Sequence, residues 1–250
     1  MTEAAKGKVY LVGAGPGDPE LLTLKALRLL ASADCIYHDD LVPVQVLELA
    51  HANASVVSVG KRSGSKRITQ EEINRKLIAS ARIGMSVVRL KSGDPLIFGR
   101  AGEEITALSE ACVPFEIVPG ITAGLAAASA IKCSLTDRRA ASSVLFMTGH
   151  HADDLNPSLP PTRVVYMPGT DLSIYAAAWL ADGEAPEMPC MVVSRVSQPE
   201  QHVVHTCLGE LATVTMPAAP ALLLAGWALQ QRNILADDVS VEHLLQQRLG

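Results

Sequence analysis

Three short stretches of the sequence combine glycine and proline where a ligand-binding loop would need them. "GAGPGD" (Gly13 to Asp18) closes the apolar run "KVYLV". "SGDPLIFGRAGEE" sets Ser92, Gly93, Asp94 and Pro95 directly behind "VVRL", with Gly99 and Gly102 ahead of a helix expected to start near Glu103. "VPGITAG" carries Pro119, Gly120 and Thr122. Glycine lets a backbone approach a ligand closely and proline fixes the local φ, so such loops make rigid walls. The first loop sits where a dinucleotide fingerprint would, yet G-x-G-x-x-G requires glycine at 18 and finds Asp18. Pro16 also removes a backbone donor, which disfavours a pyrophosphate cradle. Taken alone, this loop is equally well a tight turn with no ligand. Two further Gly-Pro loops, at strand ends of the same chain, point instead to a shared cofactor pocket.

The remaining reactive side chains are arranged against metal and nucleophile chemistry. Cys35, Cys112, Cys133, Cys190 and Cys207 are scattered without a CxxC pair. They are expected to be reduced, buried thiols, forming neither a disulfide frame nor a zinc site. His150 and His151 are adjacent, while alternation in "QHVVHTCLG" puts His202 and His205 on opposite faces of a strand, where they share no metal. No metal site is expected, and no Ser-His-Asp or Cys-His arrangement is recognisable.

The elements that must position the loops alternate. "KVYLVG", "DCIYHD", "SVVSVG" and "SVVRL" read as strands, and "PELLTLKALRLLASA" and "TQEEINRKLIASAR" as helices. In the second helix Ile73, Leu77, Ile78 and Ala81 form one apolar stripe, and Thr69 with Glu72 makes a capping box. Strand, helix, strand in repetition predicts a parallel sheet covered by helices, with ligands beyond the carboxyl ends of its strands. After "VPFEIVPG" the pattern changes to helical "ITAGLAAASAI", a Pro-rich loop, and the strand-like runs "RVVYM", "CMVVSRV", "HVVHTCL" and "PALLLAG". The expected fold is α/β in two α/β domains. Residues 1–118 hold a mostly parallel sheet and 119–250 a mixed sheet, with the cofactor in the cleft between them.

Composition narrows the function classes. Hydrophobic residues make up 48% and charged residues 19% of the 250 residues, which describes a globular chain and not a disordered one. The net charge of -5 runs against a broad nucleic-acid surface. Leu211 to Gln231 is uncharged and long enough to span a bilayer, but Pro217, Pro220 and Gly226 break it, so a buried strand entering a turn is expected. The start has no apolar signal core, which places the expected location in the cytoplasm.

At this point the chain resembles the tetrapyrrole (cobalamin precursor) methyltransferases, which use S-adenosyl-L-methionine. The resemblance runs from "VYLVGAGPGDPELLTLKAL" through "IYHDDLV", "VGKRSGSKRITQEEIN", "VRLKSGDPLIFGRAGEE" and "VPGITAG" to "TGHH", "VVYMPG" and "PALLLAG". Together "VGKR", "GDPLIFGR" and "EEIN" are typical of the branch acting on uroporphyrinogen III. It implies two methyl transfers to pyrrole carbons, C2 and C7, giving precorrin-1 and then precorrin-2 for sirohaem or cobalamin. It also implies a homodimer. Direct transfer depends chiefly on alignment, so no covalent nucleophile is needed. A base is needed where the methylated ring loses a proton.

The resemblance carries roles onto particular residues. Asp39, in "YHDD", matches the acidic residue assigned to proton removal, and Lys61, in "VGKR", a basic partner. Pro16, Ser92, Gly93, Asp94, Ile97, Thr122, Ala123, Met167, Val196 and Ala221 match cofactor contacts. Asp94 is equally placed to cap the turn before Pro95, and Met167 to fill a core. A substrate with eight carboxylates calls for cations, and Arg62, Lys66, Arg67, Arg100, Arg138, Arg139 and Arg195 stand in or near the motifs; of these Arg62, Arg100 and Arg138 are the leading candidates.

The chain departs from the family pattern at several positions. Ser92 and Ala101 stand where glycine is common, and in "KCSLTDRR" Ser134 replaces proline and Asp137 histidine. No dehydrogenase domain is expected ahead of Gly13. The alternatives are a methylase acting on a later corrin precursor or on ribosomal RNA, a non-catalytic cofactor-binding protein, and an NAD-binding oxidoreductase using Asp34.

Overall fold

The computed structural model describes residues 7–60, 68–139, 143–146, 161–196 and 198–230. Lys61, Arg62, Lys66 and Arg67 lie outside these ranges. Packing groups the described residues up to 146 into one compact unit and those from 161 to 230 into another. The change in sequence style near Val118 therefore precedes the division between units: the helix after it goes with the first unit, because its first turn lies against Gly93, where an added Cβ would stand 3.8 Å from the Ala123 nitrogen.

In chain order the first unit contains β1 (Lys8–Gly13), α1 (Leu24–Leu30), β2 (Cys35–His38), α2 (Val44–Leu47), β3 (Ser55–Ser58), α3 (Gln70–Arg82), β4 (Ser86–Lys91), α4 (Ala101–Glu110), β5 (Phe115–Val118) and α5 (Ala123–Ala130). The sheet order is β3-β2-β4-β1-β5, and each described pairing is parallel. All five strands thus deliver their carboxyl ends to one edge. Val9 and Leu11 of β1 and Val87 of β4 pack with Ile73, Leu77 and Ala81 of α3 and with Leu108 of α4. Val12, Val88 and Leu90 pack on the opposite face with Leu29 and Leu30 of α1 and Val46 of α2. Successive strand residues serve opposite cores, as a sheet covered on both faces requires.

The start of α3 is set by its sequence. The Glu72 amide donates to Thr69 Oγ1 at 3.2 Å and the Thr69 amide to Glu72 Oε2 at 2.9 Å, completing the expected capping box. Helix α4 begins at Ala101, two residues before Glu103.

The second unit contains β6 (Arg163–Tyr166), α6 (Ser173–Ala181), β7 (Pro189–Ser194), β8 (His202–Cys207) and β9 (Ala221–Ala225). Its sheet runs β6-β9-β7-β8 with all three pairings antiparallel, which corrects the expected mixed sheet. The connection from β7 to β8 spans only 195–201, too short for the crossover that parallel strands need. Trp179 and Ala176 of α6 cover Val192, Leu223 and Ala225 on one face. The uncharged run after Leu211 holds β9, and no helix among the described residues is long and apolar enough to cross a membrane. Only Cys35 and Cys190 of the five cysteines are buried; Cys112 and Cys133 are exposed, against the expectation of burial. Burial pushes the Cys190 thiol up to about 11.

Candidate functional site

The loops after β1, β4 and β5 are knitted together by their backbones. Gly93 donates to the Gly15 carbonyl at 2.7 Å, Gly15 donates to the Gly93 carbonyl at 3.2 Å, and Ala14 donates to the Lys91 carbonyl at 2.7 Å. Asp94 ties in the third loop: its Oδ2 accepts from the Gly120 amide at 3.0 Å while Oδ1 accepts from Leu96 at 2.8 Å. The strands bring these backbones so close that a Cβ on Gly13 would stand 2.6 Å from the Gly120 Cα. Glycine at this crossing is a packing requirement, separate from any freedom of φ. Asp94 accordingly acts as the turn cap and the loop tie.

This edge suits a ligand bound by backbone and apolar groups. Pro16 is partly exposed and offers no N–H, and Ile97 and Phe98 are exposed on the β4 loop. Phe98 and Arg100 both hold a φ of 53°, a left-handed conformation costly for side chains with a Cβ. Backbone strain of this kind clusters at ligand-binding and catalytic sites. Thr122 takes the N-cap position of α5, yet its side chain makes no capping bond, leaving the hydroxyl for another partner. Ser92 precedes Gly93 in the β4 loop, and Ala123 follows Thr122 as the first residue of α5. These groups, mostly backbone and apolar, fit an adenosine and amino-acid ligand.

Beside this floor runs a chain of four charges. At the end of β2, Asp39 Oδ1 accepts from Arg89 Nη2. Arg89 Nε donates to Glu104 Oε1 at 2.8 Å, and Lys91 Nζ donates to both Glu104 oxygens at 3.1 and 3.0 Å. Three of the four are buried and one reaches solvent: the side chains are 2% exposed at Lys91, 0% at Glu104, 3% at Arg89 and 33% at Asp39. Burial works against the Arg89 charge, but Glu104 and Asp39 outweigh it and raise its pKa. Burial, reinforced by the neighbouring Arg89 charge, depresses Lys91 despite Glu104. Asp40 turns away from this chain and accepts from Ser58 at 3.0 Å.

Other expected site residues are placed less directly. Arg100 forms a two-pronged pair with Glu103 at 2.7 and 2.8 Å, and the hydrogen bond to Glu103 raises its pKa. Arg139 grips Asp137 at 2.7 and 3.0 Å and holds that carboxyl below its usual range. Arg138 is exposed and forms no ion pair among the described residues. Lys61 and Arg62 lie outside the described residues. In the second unit Tyr166 pairs with Leu222 and Ser194 with Ala221, so Met167, Val196 and Ala221 gather at one end of that sheet, together with Arg195. Met167 is 88% exposed with a φ of 52°, which excludes the core-filling role.

The loops, their order along a parallel sheet and the second antiparallel sheet form a combination with known counterparts. The family model of the Tetrapyrrole (Corrin/Porphyrin) Methylases matches residues 8–212. The chain belongs to this family. The chain is 44% identical over 243 residues to a siroheme synthase of Acinetobacter baylyi, covering 93% of this chain and 53% of that protein. A siroheme synthase of Gluconacetobacter diazotrophicus is 41% identical over 245 residues, with 94% and 52% covered. The chain thus spans about half the length of these relatives. Among solved structures, the uroporphyrin-III-C-methyltransferase of Thermus thermophilus is 41% identical at a TM-score of 0.53, covering 90% of this chain and 94% of that one. A cobalt precorrin-4 methyltransferase of cobalamin biosynthesis is 27% identical at a TM-score of 0.56, with 92% and 98% covered.

Asp34, the residue of the oxidoreductase alternative, precedes β2 at the amino ends of the parallel strands, away from the Gly-Pro loops, and its Oδ2 accepts from the Ser86 amide at 2.8 Å. Sequence reasoning missed Arg89, Lys91 and Glu104. The signal was present in "VVRLK", where Arg89 and Lys91 share one face of a strand buried on both sides. It was also present in α4, where Glu104 falls on the stripe of Ala101 and Leu108.

Proposed function

We propose that this methylase converts uroporphyrinogen III to precorrin-1 and then precorrin-2 by methylating C2 and C7. The product would feed sirohaem or cobalamin synthesis, with the enzyme acting as a homodimer in the cytoplasm. The observation that carries the reading is the 41% identity to the Thermus uroporphyrin-III-C-methyltransferase across 94% of its length, well above the 27% to the precorrin-4 enzyme. When bound, S-adenosyl-L-methionine supplies a methyl group on a sulfonium and is left as S-adenosyl-L-homocysteine.

The chain's own residues bind, orient and handle the proton. Pro16, Ser92, Gly93, Asp94, Ile97, Thr122 and Ala123 are assigned to the cofactor on the first unit's loops, and Met167, Val196 and Ala221 on the second unit's sheet end. Fixing the reacting atoms in line is the principal contribution, since alignment alone can supply several orders of magnitude in rate. Asp39, half-open to solvent, takes the proton lost by the methylated ring and releases it to water. Lys61 is its proposed basic partner. Arg62, Arg100 and Arg138 are assigned to the substrate carboxylates; for Arg100 this requires its fork to leave or share Glu103.

Incubation of the full chain with methyl-labelled S-adenosyl-L-methionine and enzymatically generated uroporphyrinogen III tests the reading. Label is expected in the tetrapyrrole. Cofactor binding without transfer to this substrate would overturn it, and transfer only to a later corrin precursor would favour that branch.

A further inference from the structure

We propose that Arg89 is a positioning residue for the reaction: anchored from behind by Glu104, it holds the Asp39 carboxylate in one orientation for proton removal. The inference rests on the reading of Asp39 as the base. Its geometry is independent of that reading. All three guanidinium nitrogens of Arg89 are engaged, Nη2 by Asp39, Nε by Glu104 at 2.8 Å, and Nη1 by the carbonyls of Tyr37 and Leu90 at 3.3 and 3.2 Å. A planar fork held at every nitrogen has no alternative rotamer, so it fixes the direction of whatever it binds. The bond to Arg89 uses Asp39 Oδ1, and Oδ2 has no hydrogen-bond partner among the described residues. The carboxylate therefore keeps one oxygen clamped and one available to a proton.

Burial distinguishes this arrangement from ordinary structural pairing. A buried ion pair is a poor device for stability, since apolar side chains of similar volume serve as well. Here the buried members, Arg89, Glu104 and Lys91, lead to the one member that reaches solvent, at the strand edge where the ligand loops meet. Arg89 and Lys91 lie on β4 immediately ahead of Ser92 and Gly93, and Glu104 lies in the first turn of α4 behind the same loop. The charge chain thus sets Asp39 relative to the loop that is assigned to the cofactor.

The test is a double-mutant cycle on the full chain, measuring kcat, both KM values and cofactor affinity for D39N, R89M and D39N/R89M. R89M/K91M/E104L, which removes the buried counter-charge together with both cations it serves, is the second variant should R89M fail to fold. If Arg89 acts through Asp39, R89M lowers kcat on the order of 100-fold, the scale expected of a misplaced reacting group, while cofactor affinity stays within about twofold. In the D39N background the same change then has little further effect, because the two residues act as a unit. R89K, which keeps the charge but not the fork, should recover only part of the rate. Full multiplication of the two single effects, or an unchanged kcat in R89M or in R89M/K91M/E104L, would overturn the positioning role while leaving Asp39 as base intact. Unchanged turnover in D39N would remove Asp39 itself, and the proposal with it.

Discussion

Glu104→Gln is the substitution to which the first unit should be most sensitive. Its carboxylate is fully buried and is the shared counter-charge of two cations whose side chains are only 3% and 2% exposed. Removing the charge leaves Arg89 and Lys91 facing each other with Asp39 alone to balance them. Breaking a buried pair in this way costs about 3–5 kcal/mol, a large part of the roughly 5–15 kcal/mol that stabilises a domain. In a urea titration it should lower the midpoint by on the order of 2 M with little change in slope. The deficit should depend on pH in a defined direction. Lys91 already has a depressed pKa in the fold, so between that value and its ordinary 10.5 the unfolded chain binds more protons and stability rises with pH. Without Glu104 the depression deepens, and the deficit should shrink as pH is raised from neutrality toward 10 and Lys91 loses its proton. Replacing the three buried members together, R89M/K91M/E104L, should recover most of the stability, since the apolar set leaves no buried charge unpaired. A loss under about 1 kcal/mol in Glu104→Gln, or a deficit that grows with pH, would show that Glu104 does not balance the two buried cations.

Four smaller predictions follow from the same geometry. Gly120→Ala should cost about 1–3 kcal/mol by overpacking and weaken cofactor binding measured by calorimetry, since its Cβ would stand 2.9 Å from the Gly13 Cα. Asp94→Ala should cost about 1–3 kcal/mol through the two amides it leaves unpaired, with Asp94→Asn recovering part because one acceptor remains. Thr69→Ala should lower stability by about 1 kcal/mol through the lost cap and leave kcat and both KM values unchanged. Arg100→Gln should change stability by less than about 0.5 kcal/mol, because its pair with Glu103 is half exposed on both sides; if it binds a substrate carboxylate, the KM for uroporphyrinogen III should rise severalfold.

The parts of this architecture that sequence reveals are those set by local rules. The alternation of strand and helix, the Thr69/Glu72 capping box and the stripe of Ile73, Leu77 and Ala81 are short-range patterns, and each has its place in α3 and the parallel sheet. The three Gly-Pro loops were visible as composition. That Gly13, Gly93 and Gly120 cross backbone to backbone was not, because it depends on β1 lying between β4 and β5 in the sheet. Arg89, Lys91 and Glu104 escaped for a related reason. A charge in a strand reads as solvated until the sheet order shows both of its faces covered. The antiparallel second sheet was misjudged because strand runs alone carry no direction; the short connection 195–201 was the clue that decided it. Met167 is ambiguous between core and surface in sequence, because a methionine just past a strand fits either; its side chain stands exposed beyond the end of β6.

Methyl transfer to uroporphyrinogen III, the proposed reaction, is read out by a mass-spectrometric time course. The full chain would be incubated with trideuteromethyl-labelled S-adenosyl-L-methionine and uroporphyrinogen III generated in the same vessel. A tetrapyrrole carrying one labelled methyl group is expected first, replaced in time by a species carrying two. A tetrapyrrole that stays unlabelled while the cofactor is bound would contradict it.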